Sequence, residues 1–323
     1  MTKNNGRIEY IDLMKGICIT LVVIVHCNIA FPYEIINNLL QNLRMPLYFF
    51  LSGLFFKEYG SFSHFLIKKV NKLVIPYLFF SYIPYIFIDF IINANTNKTI
   101  AYYLFMGIEP YNFPLWFLRS LFVAYLLFYA LNKVTKKCDW KTVLLFLIII
   151  SFFVWKLSYY IPKTGWHFVP ENLLTSIFAL PFLYTASVLR TKGFLSYSFR
   201  PLHLSIIFVV GLLIWLLFVQ ENVYFITAHY GNVYPFLYLS AGGGIACVWV
   251  ICYIIKRVFY FSYVGRYSIV VLGTFAPVIR FLNYMGINGT LQALITLAIM
   301  PLMIYILIKT FPYFTAQKDL IKV

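Results

Sequence analysis

Long runs of hydrophobic residues, separated by short polar stretches, dominate the pattern of this chain. Several of these runs reach about 20 residues, the length that an α-helix needs to cross the hydrocarbon core of a bilayer. Most of them contain Pro or Gly, which membrane helices tolerate when neighbouring groups satisfy the freed backbone. The pattern predicts ten spanning helices, at residues 8–30, 38–56, 73–93, 113–131, 142–161, 172–189, 201–219, 233–255, 267–285 and 290–309.

Composition also indicates a membrane protein. Of the 323 residues, 62% are hydrophobic and only 11% are charged, whereas a soluble domain has about half apolar and about a quarter charged residues. One water-soluble core cannot bury such a surplus. We therefore predict an all-α polytopic membrane protein that is embedded in the lipid bilayer, with residues 1–323 forming a single domain and no soluble domain.

The basic residues indicate topology and argue against a nucleic-acid partner. The net charge is +16, but Lys and Arg occur in short clusters between the hydrophobic runs and not in one patch. The predicted outer loops keep only Lys98 and Lys163, so the positive-inside rule places both termini in the cytoplasm. The five cysteines show no metal-ligand or CxxC spacing, so no metal site is predicted.

The first predicted helix carries ionisable side chains where a lipid-facing helix carries none. Lys15 and His26 are eleven residues apart, or about three turns, so they share one face at a separation of roughly 16 Å. Asp12 lies three residues before Lys15 and is in position to pair with it. Such groups inside a membrane usually face a polar interior. The alternative is an ion pair at the inner interface with His26 at the outer one.

The same residues resemble a known family. The stretch "IDLMKGICITLVVIVH" (11–26) is similar to the opening of the acyltransferase-3 family of integral membrane acyltransferases, where an arginine and a histidine are separated by ten residues. Four later stretches continue the resemblance in the family's order: "RMPLYFFLSGLFF" (44–56), "FLIKKVNKLVIPYL" (65–78), "PLWFLRSLF" (114–122) and "YVGRYSIVVL" (263–272).

Three positions depart from the family pattern. Lys15 stands where the family has arginine, which keeps the charge but loses the planar, bidentate guanidinium. Arg44 stands where relatives that modify sugars often carry histidine. Phe275 stands where the late element often ends in histidine, so a role for a second histidine there is absent.

The resemblance implies transfer of an acyl group, with acetyl-CoA as the cytoplasmic donor and a carbohydrate hydroxyl as the acceptor. His26 is then the general base or a transient acyl carrier, and these two roles stay open. The implied catalytic residues are His26, Asp12 and Lys15. The candidates for binding the donor phosphates are Lys15, Arg7, Lys68, Lys69 and Lys72. For all of these except Lys15, the alternative is a basic inner segment that the positive-inside rule alone explains.

The candidate acceptor-binding residues are Arg44, Ser52, Trp116 and Arg119, and each has a structural alternative. Both arginines could pack against aromatic rings, Ser52 and Gly53 could permit close approach of helices, and Trp116 could belong to an interfacial aromatic belt. The resemblance also implies a cell-membrane location and, as a further possibility, glycan-assembly partners. A transporter of glycans or acyl groups and a structural subunit of a polysaccharide synthase remain the alternative functions.

Overall fold

The computed structural model describes residues 8–27, 29, 33–92, 109, 112–160 and 171–322. Over these residues the chain is helical apart from short connections and one two-stranded hairpin. The helices are α1 (Glu9–His26), α2 (Glu34–Leu54), α3 (Phe62–Lys69), α4 (Ile75–Ile92), α5 (Trp116–Val134), α6 (Trp140–Tyr160), α7 (Glu171–Phe178), α8 (Leu180–Thr191), α9 (Pro201–Leu217), α10 (Phe236–Ile255), α11 (Phe259–Arg266), α12 (Ser268–Tyr284) and α13 (Gly289–Thr310).

Each of the ten predicted segments contains a helix, and the all-α membrane class is confirmed. Within the described residues, five helices are long and apolar enough to cross a membrane, and the bent pair α11–α12, with an angle of 94° between its parts, makes a sixth if it counts as one span. α1 falls outside this set because it carries Glu9, Asp12 and Lys15. Ten spans and the cytoplasmic placement of the termini therefore stay predictions.

Short non-spanning elements connect the long helices. A π-helical turn, Val70–Val74, joins α3 to α4 directly before Pro76. A 3₁₀ turn, Phe113–Leu115, leads into α5. Strands β1 (Val223–Tyr224) and β2 (His229–Tyr230) pair antiparallel between α9 and α10.

α1 lies inside the helical assembly, where it contacts α2, α10, α11, α12 and α13. Its crossing with α11 depends on two glycines. A Cβ atom at Gly16 would lie 1.8 Å from the carbonyl oxygen of Phe261, and one at Gly265 would lie 1.9 Å from that of Asp12. Only glycine permits this backbone approach, in the manner of small-residue interfaces between membrane helices. The same holds for Gly53, where a Cβ would lie 2.3 Å from the Leu183 carbonyl oxygen, so α2 and α8 approach closely there.

Prolines within helices free backbone carbonyls that other side chains satisfy. Pro301 has no N–H for the carbonyl of Leu297, four residues earlier in α13. The hydroxyl of Tyr260 in α11 donates to that carbonyl oxygen at 2.7 Å. The proline within α13 is thereby tolerated, and α11 is linked to α13 by this hydrogen bond.

The outward helices carry the apolar surface. Much of α6, α9 and α13 consists of exposed large side chains such as Phe153, Leu217 and Leu302. In water this surface would be unfavourable, but against lipid it is not, since acyl chains are equally apolar. On α1, by contrast, Asp12 is buried and Lys15 and His26 are half-buried.

Candidate active site

His26 is the last residue of α1, where the helix dipole favours a positive or proton-accepting ring. Its Nδ1 lies 2.7 Å from the carbonyl oxygen of Val22. A carbonyl only accepts hydrogen bonds, so Nδ1 carries the proton and Nε2 keeps its lone pair. The rings of Phe113 and Phe275 lie on the imidazole, each with its centroid 5.2 Å away. This hydrogen bond gives the ring the tautomer of a general base.

Arg44 is the charged group that interacts electrostatically with His26. The side chain is buried in α2 beside Cys18 of α1, whose thiol donates to the Arg44 carbonyl oxygen at 3.1 Å. Within the described part of the chain, the Arg44 Nη1 atom is buried and has no hydrogen-bond partner. A buried guanidinium N–H without an acceptor is costly, and it is a donor ready for an anionic or carbonyl oxygen.

A cavity of about 380 Å³ lies further toward the predicted cytoplasmic end of α1. It brings together four of the predicted site residues: Lys15, Ser52, Lys69 and Lys72. The side chains around them are mainly aromatic and aliphatic, and the described lining residues include no carboxylate. Because three ammonium groups line it, this cavity, here named the lysine cavity, is suited to a polyanion.

Lys69 is the most buried ammonium in the lysine cavity, with 8% of the residue exposed. Its Nζ atom lies 3.5 Å from the ring centroid of Tyr125 and 5.5 Å from that of Phe65. The Tyr125 hydroxyl in turn donates to the carbonyl oxygen of Ser52 at 3.0 Å. Aromatic faces hold the cation without neutralising it, so its charge stays available.

Lys15 and Asp12 each contact a residue outside α1. The Lys15 Nζ atom lies 4.9 Å from the centroid of the Phe55 ring at the lysine cavity. The carboxylate of Asp12 lies 3.9 Å from Nε of Arg266 in α11. The sequence did not indicate this second partner, since Arg266 lies 254 positions away. The predicted pairing of Asp12 with Lys15 stays a prediction.

The C-terminal segment after α13 contacts two of the predicted lysines, Lys68 and Lys72. Lys68 pairs with Asp319 at 2.6 Å, and Lys72 lies 3.5 Å from the same carboxylate. The hydrogen bond from Lys68 holds the pKa of the Asp319 carboxyl below its usual range. Lys68 therefore faces the C-terminal segment, while Lys72 contacts both this segment and the lysine cavity.

Asn71 explains why the C-terminal segment docks at this place. Its side-chain oxygen accepts from the backbone N–H groups of Leu320 and Ile321 at 2.8 and 2.9 Å. Its amide donates back to the Ile321 carbonyl oxygen at 2.9 Å. About 250 residues separate these partners, and no pattern in the sequence indicated the contact. Arg7, the remaining predicted donor-binding residue, lies outside the described residues.

Arg119 forms a buried ion pair with Glu109, with 2.9 Å between Nε and Oε1. Both residues are less than 8% exposed, and the guanidinium also lies 5.8 Å from the ring of Tyr77. Trp116 is buried one turn earlier and contacts Phe117 edge-on. The structure thus assigns to Arg119 an internal carboxylate partner that the sequence did not predict.

A second cavity, of about 430 Å³, lies among α2, α6, α8, α9 and α10. Phe50, Phe182 and Trp249 are typical of its mainly apolar lining. Among the described residues, no group of His, Cys, Asp and Glu is arranged to hold a metal ion.

Comparison with known proteins gives one match. The sequence model of the acyltransferase-3 family, described as an acyltransferase domain, matches residues 8–309, nearly the whole chain. The comparison with curated proteins and the comparison with solved structures each found no match. The matched range contains His26, Arg44 and every lining residue of the lysine cavity.

Proposed function

Since this chain belongs to the acyltransferase-3 family and is therefore a membrane acyltransferase, we propose that it moves an acetyl group from cytoplasmic acetyl-CoA to a hydroxyl of a surface or extracytoplasmic carbohydrate. The observation that carries this proposal is the arrangement along α1. A histidine with Nε2 as its basic nitrogen lies near one end and interacts electrostatically with Arg44, whose Nη1 atom has no hydrogen-bond partner among the described residues, and a lysine-lined cavity lies toward the other end.

The lysine cavity supports the choice of donor. Coenzyme A carries several phosphate charges and a long flexible arm that ends in the thioester. The ammonium groups of Lys15, Lys69 and Lys72 line one cavity and supply charge-assisted hydrogen bonds to phosphate oxygens. His26 is about 16 Å further along the same helix. The phosphates bound at the lysines would therefore let the arm extend toward the imidazole.

The reaction follows from the tautomer of His26. Nε2 accepts the proton of the acceptor hydroxyl while the hydroxyl oxygen attacks the thioester carbonyl carbon. The C–S bond then breaks, and the coenzyme A thiolate leaves and takes up a proton from the imidazolium. The Nη1 N–H of Arg44 lies ready to stabilise the oxyanion that forms between these two steps. The route through an acyl-histidine uses the same nitrogen as nucleophile.

The remaining assignments are proposals on the same basis. Asp12 orients the inner end of α1 through Arg266, and Trp116 and Arg119 shape the acceptor side. Ser52, the other predicted acceptor residue, lines the lysine cavity and is therefore placed on the donor side. We place the protein in the cytoplasmic membrane with both termini inside, which puts the lysine cavity on the side of the donor. Enzymes of glycan assembly are the expected partners.

The test compares His26→Ala and His26→Gln with His203→Ala, a change of an exposed histidine at the start of α9. Each variant is expressed in the source cell without the native gene, and ester-linked acyl groups on the purified surface glycan are measured by mass spectrometry. Loss of a general base reduces the rate by about 10²–10⁴-fold. We therefore expect the ester to disappear in both His26 variants and to persist in His203→Ala, at equal protein levels.

Persistence of the ester in His26→Ala contradicts the proposed role of the histidine. Absence of any ester in the wild type contradicts the proposed acceptor and favours transport of glycans or acyl groups instead. A second assay distinguishes these outcomes, because purified enzyme in detergent releases free coenzyme A from acetyl-CoA and acceptor without vesicles, whereas a transporter does not.

A further inference from the structure

Two prolines leave two carbonyl groups without their helical donors near His26. Pro84 interrupts α4 and Pro277 interrupts α12. Because proline has no N–H, the carbonyl four residues earlier loses its hydrogen bond. The carbonyls concerned are those of Phe80 in α4 and Gly273 in α12. In a dry interior each needs another donor.

One side chain provides both donors. The amide nitrogen of Asn112, just before the 3₁₀ turn, donates to the Phe80 carbonyl oxygen at 3.2 Å and to the Gly273 carbonyl oxygen at 2.7 Å. Asn112 is completely buried. The two helices touch at this level, since a Cβ atom at Gly273 would lie 2.3 Å from the Phe80 ring. Asn112 therefore joins α4, α12 and the start of the 3₁₀ turn at one point.

The two aromatic rings that lie against His26 are close in the chain to the residues that Asn112 joins. Phe113 follows Asn112 in the chain, and Phe275 follows Gly273 by two residues. Each ring centroid lies 5.2 Å from that of the imidazole. The position of both rings against His26 thus depends on the hydrogen bonds that Asn112 makes.

We propose that Asn112 is a positioning residue for His26: its side-chain amide, bound to the carbonyls freed by Pro84 and Pro277, holds Phe113 and Phe275 against the imidazole. Its importance for acyl transfer rests on the function proposed above, whereas its effect on the imidazole is independent of that function. Asn112 acts through its neighbours and takes no part in the chemical step.

The test measures the reactivity of the imidazole itself, which requires neither donor nor acceptor. Diethyl pyrocarbonate carbethoxylates the basic nitrogen of an imidazole, and peptide mass spectrometry gives the rate at each histidine. The rate at half-buried His26, divided by the rate at exposed His203 in the same molecule, is followed across neutral pH in detergent. Arg44, the charged group that interacts with the ring, is left unchanged.

The main variant is Asn112→Asp, which has the same shape but a carboxyl group that donates one hydrogen bond when protonated and none when ionised, whereas the amide donates two. It leaves at least one of the two carbonyls without a donor. We expect a several-fold change in the His26 to His203 ratio. The matched control is Asn42→Asp, because the Asn42 amide is also fully buried and donates to two carbonyls, of Asn38 at 2.7 Å and Gln220 at 2.6 Å.

The control separates loss of stability from loss of positioning. Both variants remove at least one buried hydrogen bond and should lower thermal stability similarly, but only Asn112→Asp should change the ratio at His26. A second variant guards against misfolding of the first. Pro277→Ala provides a backbone N–H that competes with the Asn112 amide for the Gly273 carbonyl and so weakens the link between Asn112 and α12. Alanine favours the helix, so we expect this variant to fold.

A changed ratio in Asn112→Asp and in Pro277→Ala, with the wild-type ratio in Asn42→Asp, supports the proposal. A wild-type ratio in folded Asn112→Asp overturns it, as does an equal change in Asn42→Asp. If Asn112→Asp does not fold, Pro277→Ala decides alone in the same way. Should the ratio change as expected while His26→Ala keeps the glycan ester, the positioning holds and the proposed catalytic role of His26 fails.

Discussion

Replacement of Lys69 by methionine should weaken binding of the donor without weakening the fold. Lys69 is buried in the lysine cavity, and the ring of Tyr125 holds its ammonium at 3.5 Å. A buried charge loses several kcal/mol of hydration, whereas its attraction to an aromatic face returns about 2 kcal/mol. Methionine fills a similar volume without this loss. The free energy of unfolding of Lys69→Met should therefore equal or exceed that of the wild type.

The expected loss of affinity is large. A hydrogen bond to a charged group contributes about 1.5–3 kcal/mol. Since 1.4 kcal/mol corresponds to a tenfold change, the Kd for coenzyme A should rise by about 10–150-fold. The assay is isothermal titration of the detergent-solubilised protein with coenzyme A, together with thermal unfolding of the ligand-free protein. A stable variant with weak binding is the combined result that we expect.

The control for this prediction is Lys133→Met. Lys133 is a basic residue at the end of α5 whose side chain is 49% exposed and lies 3.5 Å from Glu58. Such a surface pair contributes little, so both binding and stability should stay as in the wild type. Wild-type affinity in Lys69→Met refutes the placement of the donor phosphates in the lysine cavity. A marked loss of stability in that variant refutes the view that the buried ammonium costs stability.

Two further predictions concern ion pairs outside the lysine cavity. Arg119→Met removes the arginine partner of the buried Glu109 carboxylate and should lower the free energy of unfolding, measured by denaturant titration, by about 3–5 kcal/mol. The double variant Arg119→Met/Glu109→Gln should recover most of the lost stability. If it does not, the arginine stabilises the fold through other contacts. Asp319 has a pKa lowered by Lys68, so its pair stabilises the docked C-terminal segment above the carboxyl's unfolded-state pKa and loses this effect as the pH falls through the folded-state pKa. The rate of hydrogen exchange in residues 312–322, corrected for its intrinsic pH dependence, should rise about twofold on acidification in the wild type, as for a surface pair. In Asp319→Asn the corrected rate should not change. Equal behaviour of the two proteins would contradict the role of the Lys68–Asp319 pair.

Hydrophobicity located the helices because it is a local property of each segment. Every predicted segment contains a helix, and the three-turn spacing of Lys15 and His26 correctly placed both on α1. The same property missed α3 and α11, which have eight residues each. Their sequences are short, aromatic and basic, so they resemble loops that flank a spanning helix. Only packing against α1 and the C-terminal segment reveals them as separate helices.

The ion-pair partners of the charged residues could not be predicted from the sequence, for a different reason. Asp319 and Lys68 are 251 residues apart, and the contact of Asp12 with Arg266 joins opposite ends of the chain. Periodicity predicts which residues share a face of one helix, but it carries no information about which other element covers that face. Asn112 was missed for the same reason, because its acceptors become visible only when the carbonyls freed by two prolines are found side by side.

The ionisable groups of α1 follow from its place among the other helices. A helix in contact with lipid must be apolar on its outer face, but α1 contacts five helices, and the glycine crossing with α11 brings its backbone unusually close to a neighbour. Three of its ionisable side chains then meet protein: Asp12 meets Arg266, Lys15 meets the lysine cavity, and His26 meets two aromatic rings. Because apolar helices such as α6 and α13 cover the outside, insertion into the membrane does not require α1 to be apolar. The interior position of α1 is thus the physical condition that allows one helix to carry both Lys15 and His26.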